Sequence, residues 1–180
     1  STYEADLFVS MSYNQILKNK IINLPPKGFI NCHAGALPFY RGRNVLNWVL
    51  INDEKEFGVT VHYIDEGIDT GDIILQKKQK INDNDNYSSL LNKATILCSE
   101  LLYESIIQIL KSKVKKIRQE DIDPVGSYFK KRGIGDEIID WNWTSRKIFN
   151  FVRAISFPGP FAQSNLNGEC ILISKAFFIK

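Results

Sequence analysis

Three residues in the first half of the chain carry side chains that can together move an acyl group: Asn31, His33 and Asp69. Asn31, Cys32 and His33 follow one another as the chain leaves a predicted strand. Side chains alternate there, so Asn31 and His33 share one face and Cys32 takes the other. An amide N–H can hold a developing oxyanion, and an imidazole beside it can take and return a proton; acyl transfer to an amine requires both. Asp69 lies among residues 65–71, a stretch with two glycines and three acids that reads as a loop. A carboxylate there would orient the imidazole and favour its protonated form. A histidine after a strand is also a common structural hydrogen-bonding residue, so spacing alone leaves both readings open. The same alternation argues against a Cys32–His33 nucleophile pair, because the two side chains diverge.

The elements that must position these residues read as an α/β protein. Ala5, Leu7, Phe8 and Val9 form a short apolar run consistent with a buried strand, and residues 15–22 have helical spacing before Pro25 and Pro26 stop them. Residues 27–31 read as a second buried strand. The glycines and proline among residues 32–42 make that stretch a loop leaving it, and strand exits in open α/β sheets are where ligands bind. Residues 44–52 suit a short packed helix. Residues 58–63 alternate as a strand, and residues 73–79 resume an extended pattern. A polar turn at residues 82–86 can cap a long helix over residues 88–111, with Leu90, Ala94, Leu97, Leu101 and Leu102 on one face. Further on, Thr144 can cap a helix with an apolar stripe of Ile148, Phe151, Val152 and Ile155, and Asn167-Gly168 signals a tight hairpin.

With 180 residues, 44% of them hydrophobic, the chain can bury one sizeable core and carry a small appendage. Residues 1–120 read as the core and residues 121–180 as the appendage. No stretch is long and apolar enough for a membrane span, and the first residues lack a secretion signal, so a cytoplasmic protein is expected. Cys32, Cys98 and Cys170 are far apart, with no paired spacing for zinc or a redox couple, and no metal is expected. The net charge of +3 is modest, and the basic run from Lys111 to Arg118 reads as the solvated end of a helix, so a nucleic-acid footprint is not indicated.

The run Asn31-Cys32-His33-Ala34-Gly35-Ala36-Leu37-Pro38-Phe39-Tyr40-Arg41-Gly42 is followed by Gly58-Val59-Thr60-Val61-His62 and by Asp65-Glu66-Gly67-Ile68-Asp69-Thr70-Gly71-Asp72. This pattern resembles the folate-dependent formyltransferase family, and the resemblance extends from about Ala5 to about Lys175. It implies a partial Rossmann-like core with a C-terminal helix and β-hairpin, and 10-formyltetrahydrofolate as formyl donor. It further implies that Asn31 stabilises the oxyanion, that His33 is the general acid/base, and that Asp69 pairs with His33. Asp65, Glu66, Gly67, Ile68 and Asp69 would line the pterin pocket, Gln15, Ile16 and Leu17 its opposite wall, and Arg43 would contact the donor.

Within the family, residues 41–50, Trp141 and the Arg153-Ala154 helix resemble the sugar-nucleotide branch. The expected acceptor is the amine of a dTDP-linked 4-amino-4,6-dideoxy sugar used for surface polysaccharide, with the UDP-linked aminoarabinose enzymes as near relatives. A homodimer is compatible with that resemblance. Methionyl-tRNA formyltransferase is the alternative, and it would be expected to show a basic tail; a non-catalytic fragment of the family is a third reading. Family members open with a βαβ-rich half that has no counterpart here, so a fragment with an uncovered sheet edge is expected.

The remaining polar and aromatic residues have plainer readings. His62 alternates with Val61 and Tyr63 and reads as structural. Trp48 reads as core. Tyr40 and Arg41 could hold a loop together or grip a sugar diphosphate, and these are weighed equally. Asp65 and Asp72 read as loop caps.

Overall fold

A computed structural model describes residues 4–13 and 15–179. Four strands form the main sheet in the order β1 (Phe8–Met11), β2 (Phe29–His33), β4 (Glu56–Tyr63), β5 (Ile73–Lys80). β1 and β2 run parallel, whereas β4 and β5 are antiparallel to their neighbours. Ile30, Cys32, Val59 and Val61 are almost wholly buried and meet the apolar face of α3 (Tyr87–Leu110), which packs across β4 and β5. Leu90, Ala94, Leu97 and Leu101 recur at helical spacing along that face, and each buried leucine stabilises the fold by about 1.5–3 kcal/mol. Asn86 and Ser89 close the α3 N-terminus reciprocally, each side chain accepting from the other's backbone N–H. Both the helix and its polar cap match the sequence pattern.

α2 (Val45–Ile51) packs against α4 (Ser145–Ala154), and the Asn47 amide donates to the Ala154 carbonyl at 2.5 Å. Thr144 caps α4, accepting from Lys147 N at 3.3 Å. The hairpin β7 (Ala162–Leu166) and β8 (Glu169–Ile173) turns at Asn167 and Gly168, whose φ values of 53° and 88° are those a type I′ turn needs. A short parallel pair, β3 (Arg41–Gly42) with β6 (Tyr128–Phe129), ties the loop after β2 to the chain leaving the core.

Three local expectations are corrected. Residues 15–22 are helical only in α1 (Asn19–Ile22), because Lys18 is extended (φ −95°, ψ 154°), and so short a helix gains little from its own hydrogen bonds. β2 runs through His33, since pairing of Cys32 with Val61 and His33 with Thr60 continues the ladder past Asn31. Trp48 is half-buried rather than core: its ring lies 5.6 Å from that of Phe129 and its indole N–H donates to the Lys130 carbonyl at 3.1 Å.

Candidate active site

The C-terminal ends of β1 and β2 open onto a cavity of about 620 Å³, within the range of small-molecule sites. Asn31, His33, His62 and Asp69 meet on its wall. Strand register puts Asn31 directly opposite His62. A β-bulge between Val61 and His62, where Val61 faces Leu75 and His62 faces Ile73, re-aims the chain at that point. His33 Nδ1 lies 3.6 Å from Asp69 Oδ2, and His62 Nε2 lies 3.6 Å from Asp69 Oδ1. Asn31 Nδ2 is 3.3 Å from His62 Nε2 and donates to Asp69 Oδ1 at 3.5 Å. Gly42 N donates to Asp69 Oδ2 at 2.9 Å.

The backbone settles which ring nitrogens carry protons. His33 Nε2 lies 2.7 Å from the Tyr40 carbonyl and His62 Nδ1 lies 2.8 Å from the Tyr63 carbonyl. A carbonyl oxygen only accepts, so both nitrogens are the protonated ones. His62 Nε2 faces both the Asn31 amide and the Asp69 carboxylate. His33 Nδ1 can gain a proton, and Asp69 Oδ2 stands ready to receive the N–H that results.

Burial is the largest influence on His33 and pushes its pKa below the ordinary 6.5; the Asp69 charge and the Tyr40 carbonyl pull it upward and His62 adds a smaller downward push. The expectation that Asp69 favours the protonated imidazole therefore has the right sign for that one interaction, but desolvation outweighs it. Burial also works to raise Asp69. The His62 hydrogen bond, the His33 charge and the Gly42 N–H outweigh it together and hold the carboxyl at about 2.

The residues that the resemblance implies for the pterin pocket fall into two groups. Gln15, Ile16, Leu17, Arg43, Asp65, Gly67 and Ile68 line the cavity. Glu66 points elsewhere, its carboxylate accepting from Asn19 Nδ2 at 2.5 Å. Asp65 holds its loop together by accepting from Gly67 N at 3.1 Å and Thr70 Oγ1 at 2.6 Å.

Tyr40 and Arg41, weighed equally as loop braces and as grips for a sugar diphosphate, both have protein partners for their side chains. The Tyr40 ring stacks on Phe129 at 4.6 Å and its hydroxyl donates to Glu54 at 2.6 Å. Arg41 donates to Gln119 Oε1 from Nε at 3.0 Å and from Nη2 at 2.8 Å.

Sequence reasoning missed His62, Tyr128 and Lys131 on the cavity wall and Gln119 behind it. For His62 a signal existed: Thr60 and His62 alternate against Val59 and Val61, so His62 belongs to the polar face of a strand that can pair with β2. Among the described residues no group of three or more His, Cys, Asp or Glu is placed to hold a metal ion, and no helix is long and apolar enough to cross a membrane.

Gly35 shows how tightly His33 is held. A methyl group there would lie 2.5 Å from both His33 Nε2 and the Tyr40 carbonyl oxygen. Gly35→Ala is therefore expected to break that hydrogen bond and to lower any turnover that uses His33 by about 10²-fold. Steady-state kinetics and the loss of the protected imidazole N–H resonance would check it.

An amide, an imidazole and a carboxylate converge beside the exit of the parallel strands β1 and β2, and these are group types that acyl transfer uses. Family models agree with that class: the formyl transferase model matches residues 1–106 and the formyl transferase C-terminal domain model matches residues 134–179. The chain belongs to the formyl transferase family. It is 41% identical to the methionyl-tRNA formyltransferase of Thermodesulfovibrio yellowstonii over 93% of its length, which is 53% of that relative. The fold resembles an N-formyltransferase from Helicobacter canadensis solved with folinic acid and dTDP-3-aminofucose (TM-score 0.76, 31% identity, 89% of this chain and 58% of that one). It also resembles a 4-N formyltransferase from Francisella tularensis (TM-score 0.80, 27% identity, 97% of this chain and 72% of that one). The chain thus spans little more than half the length of the methionyl-tRNA enzyme and of the Helicobacter enzyme.

Proposed function

We propose that this chain is the catalytic part of an N-formyltransferase. It moves a formyl group from 10-formyltetrahydrofolate to the amine of a nucleotide-linked 4-amino-4,6-dideoxy sugar, dTDP-linked in the first instance. Residues 1–120 form the reacting core and residues 121–180 the extension that buttresses it. The observation that carries the reaction is the convergence of Asn31, His33 and Asp69 on one cavity wall. As a neutral amine attacks the formyl carbon, His33 Nδ1 takes its proton, and it returns that proton to the folate nitrogen as the bond between that nitrogen and the formyl carbon breaks. The imidazolium so formed has an acceptor at each nitrogen, the Tyr40 carbonyl and the Asp69 carboxylate. The Asn31 amide makes two long bonds, of 3.3 and 3.5 Å, and turns its N–H to the developing oxyanion. The cavity fits the donor: Ile16, Leu17 and Ile68 supply apolar wall for a pterin ring, and the reacting groups stand at its polar end.

For the acceptor, the Helicobacter enzyme solved with a dTDP-amino sugar supports a sugar nucleotide. A cytoplasmic homodimer supplying surface polysaccharide belongs to the same reading and draws on the family resemblance.

The identity to methionyl-tRNA formyltransferases favours a second reading, with charged initiator tRNA as acceptor. An assay of the full-length protein with 10-formyltetrahydrofolate at two salt concentrations separates them. The dTDP-amino sugar should be formylated, and the same sugar without its nucleotide should react about 10²-fold less efficiently, because the distant diphosphate no longer positions the amine. Formylation of methionyl-tRNA that falls steeply with salt, with no reaction on any nucleotide-linked amino sugar, would overturn the acceptor and leave the reacting centre standing.

A further inference from the structure

Gln119 begins the 3₁₀ turn Gln119–Asp121 after α3 and is 3% exposed. Every hydrogen-bonding group of its side chain is occupied. Nε2 donates to the Asp69 carbonyl and to the Gly71 carbonyl, both at 2.8 Å. Oε1 accepts the two Arg41 bonds described above, and Arg41 Nη1 donates in turn to the Val125 carbonyl at 3.3 Å. The Asp123 carboxylate anchors that last loop by accepting from Val125 N at 2.9 Å and Gly126 N at 2.7 Å. At the other end of this chain of contacts, Asp69 has a left-handed φ of 55°, a conformation that a non-glycine residue keeps only when its surroundings hold it.

We propose that Gln119 is the positioning residue for Asp69: it grips the backbone on both sides of Thr70 and thereby holds the carboxylate between His33 and His62. Two carbonyls on one loop need two N–H donors, and the guanidinium behind needs an acceptor. Only a primary amide offers both from one side chain of this length; a carboxylate has no donor and a methylated isostere has neither. Arg41 fixes the amide's orientation, so the pair forms a strut running from the loop before β6, through Arg41 on β3, to the loop that carries Asp69. The proposal rests on the reading that Asp69 acts on His33. Among the described residues the titratable groups facing His33 are Asp69, at 3.6 Å, and His62, whose ring centre lies 6.5 Å away.

The test compares Gln119→Glu, Gln119→Leu and Asp69→Asn in the full-length protein. One readout is kcat and KM with 10-formyltetrahydrofolate and dTDP-4-amino-4,6-dideoxyglucose. The other is the NMR titration of the His33 ring, told apart from His62 by His33→Gln and His62→Gln, which needs no acceptor. Gln119→Glu keeps the size of the side chain and its bonds from Arg41 but has no N–H for the two carbonyls. Both Gln119 variants should lower kcat by about 10- to 10²-fold, because the carboxylate drifts, with KM for the donor changed no more than about twofold. They should also move the His33 midpoint downward, in the direction that Asp69→Asn moves it.

A lowered melting temperature with normal kcat and an unmoved His33 midpoint would make Gln119 merely structural and overturn the proposal. If Asp69→Asn itself leaves His33 unmoved, the site reading fails and this proposal falls with it. Should Gln119→Leu fail to fold, the isosteric Gln119→Glu decides.

Discussion

His33→Ala should lower the turnover number by about 10²- to 10⁴-fold while the variant folds and binds the donor nearly as well as before. The imidazole is 9% exposed and stands on the cavity wall, with Nε2 held by the Tyr40 carbonyl and Nδ1 turned toward Asp69. His62 is not placed to replace it: its Nδ1 is engaged by the Tyr63 carbonyl and its Nε2 faces Asn31, with its ring centre 6.5 Å from that of His33. Removing the ring leaves the Tyr40 carbonyl without that donor, a loss of about 1 kcal/mol of stability, small beside the loss of rate. The loss should therefore fall on kcat and not on KM, as it does when an interaction made only in the transition state is removed. Near-normal kcat in a folded His33→Ala protein would remove His33 from the chemistry.

Asp69→Asn should lower the plateau rate by a comparable factor, about 10²- to 10⁴-fold, and move the pH profile in a definite direction. His33 must be neutral to accept the amine proton, so the acidic limb of kcat/KM follows its ionisation. Burial already puts that limb below the ordinary 6.5, and the Asp69 charge holds it from falling further. Asparagine keeps the shape and removes the charge, so the limb should shift to still lower pH. An unmoved limb in an active variant would separate Asp69 from His33. Stability should respond too. The folded carboxyl sits at about 2 against an ordinary 3.8, so its contribution is full above about pH 4 and is lost as pH falls toward 2. Urea midpoints of the wild type should drop through that window more than those of Asp69→Asn.

Much of this protein was legible in one dimension. The α3 helix and its Asn86 cap, the α4 stripe behind Thr144, and the Asn167-Gly168 turn follow from period, cap and turn chemistry, which neighbours in sequence impose on each other. So does the placing of Asn31 and His33 on one strand face away from Cys32, since alternation is a property of the strand alone. The resemblance carried by residues 31–42, 58–62 and 65–72 pointed to the family that the matched models establish.

The tertiary structure decided the rest. Whether residues 15–22 would be a full helix or a cavity wall ending in one helical turn depends on what they pack against, and their spacing does not report it. Tyr40 and Arg41 could be weighed only by charge and ring size until the fold placed Phe129, Glu54 and Gln119 beside them. His62 joined the reacting cluster through β2–β4 register and a bulge, and burial, not the carboxylate, set the direction in which His33 titrates. Contacts such as Gln119 with Asp69, 50 residues apart, join segments whose local patterns are independent of one another. Only closing the chain makes them neighbours, and desolvation exists only once it has closed.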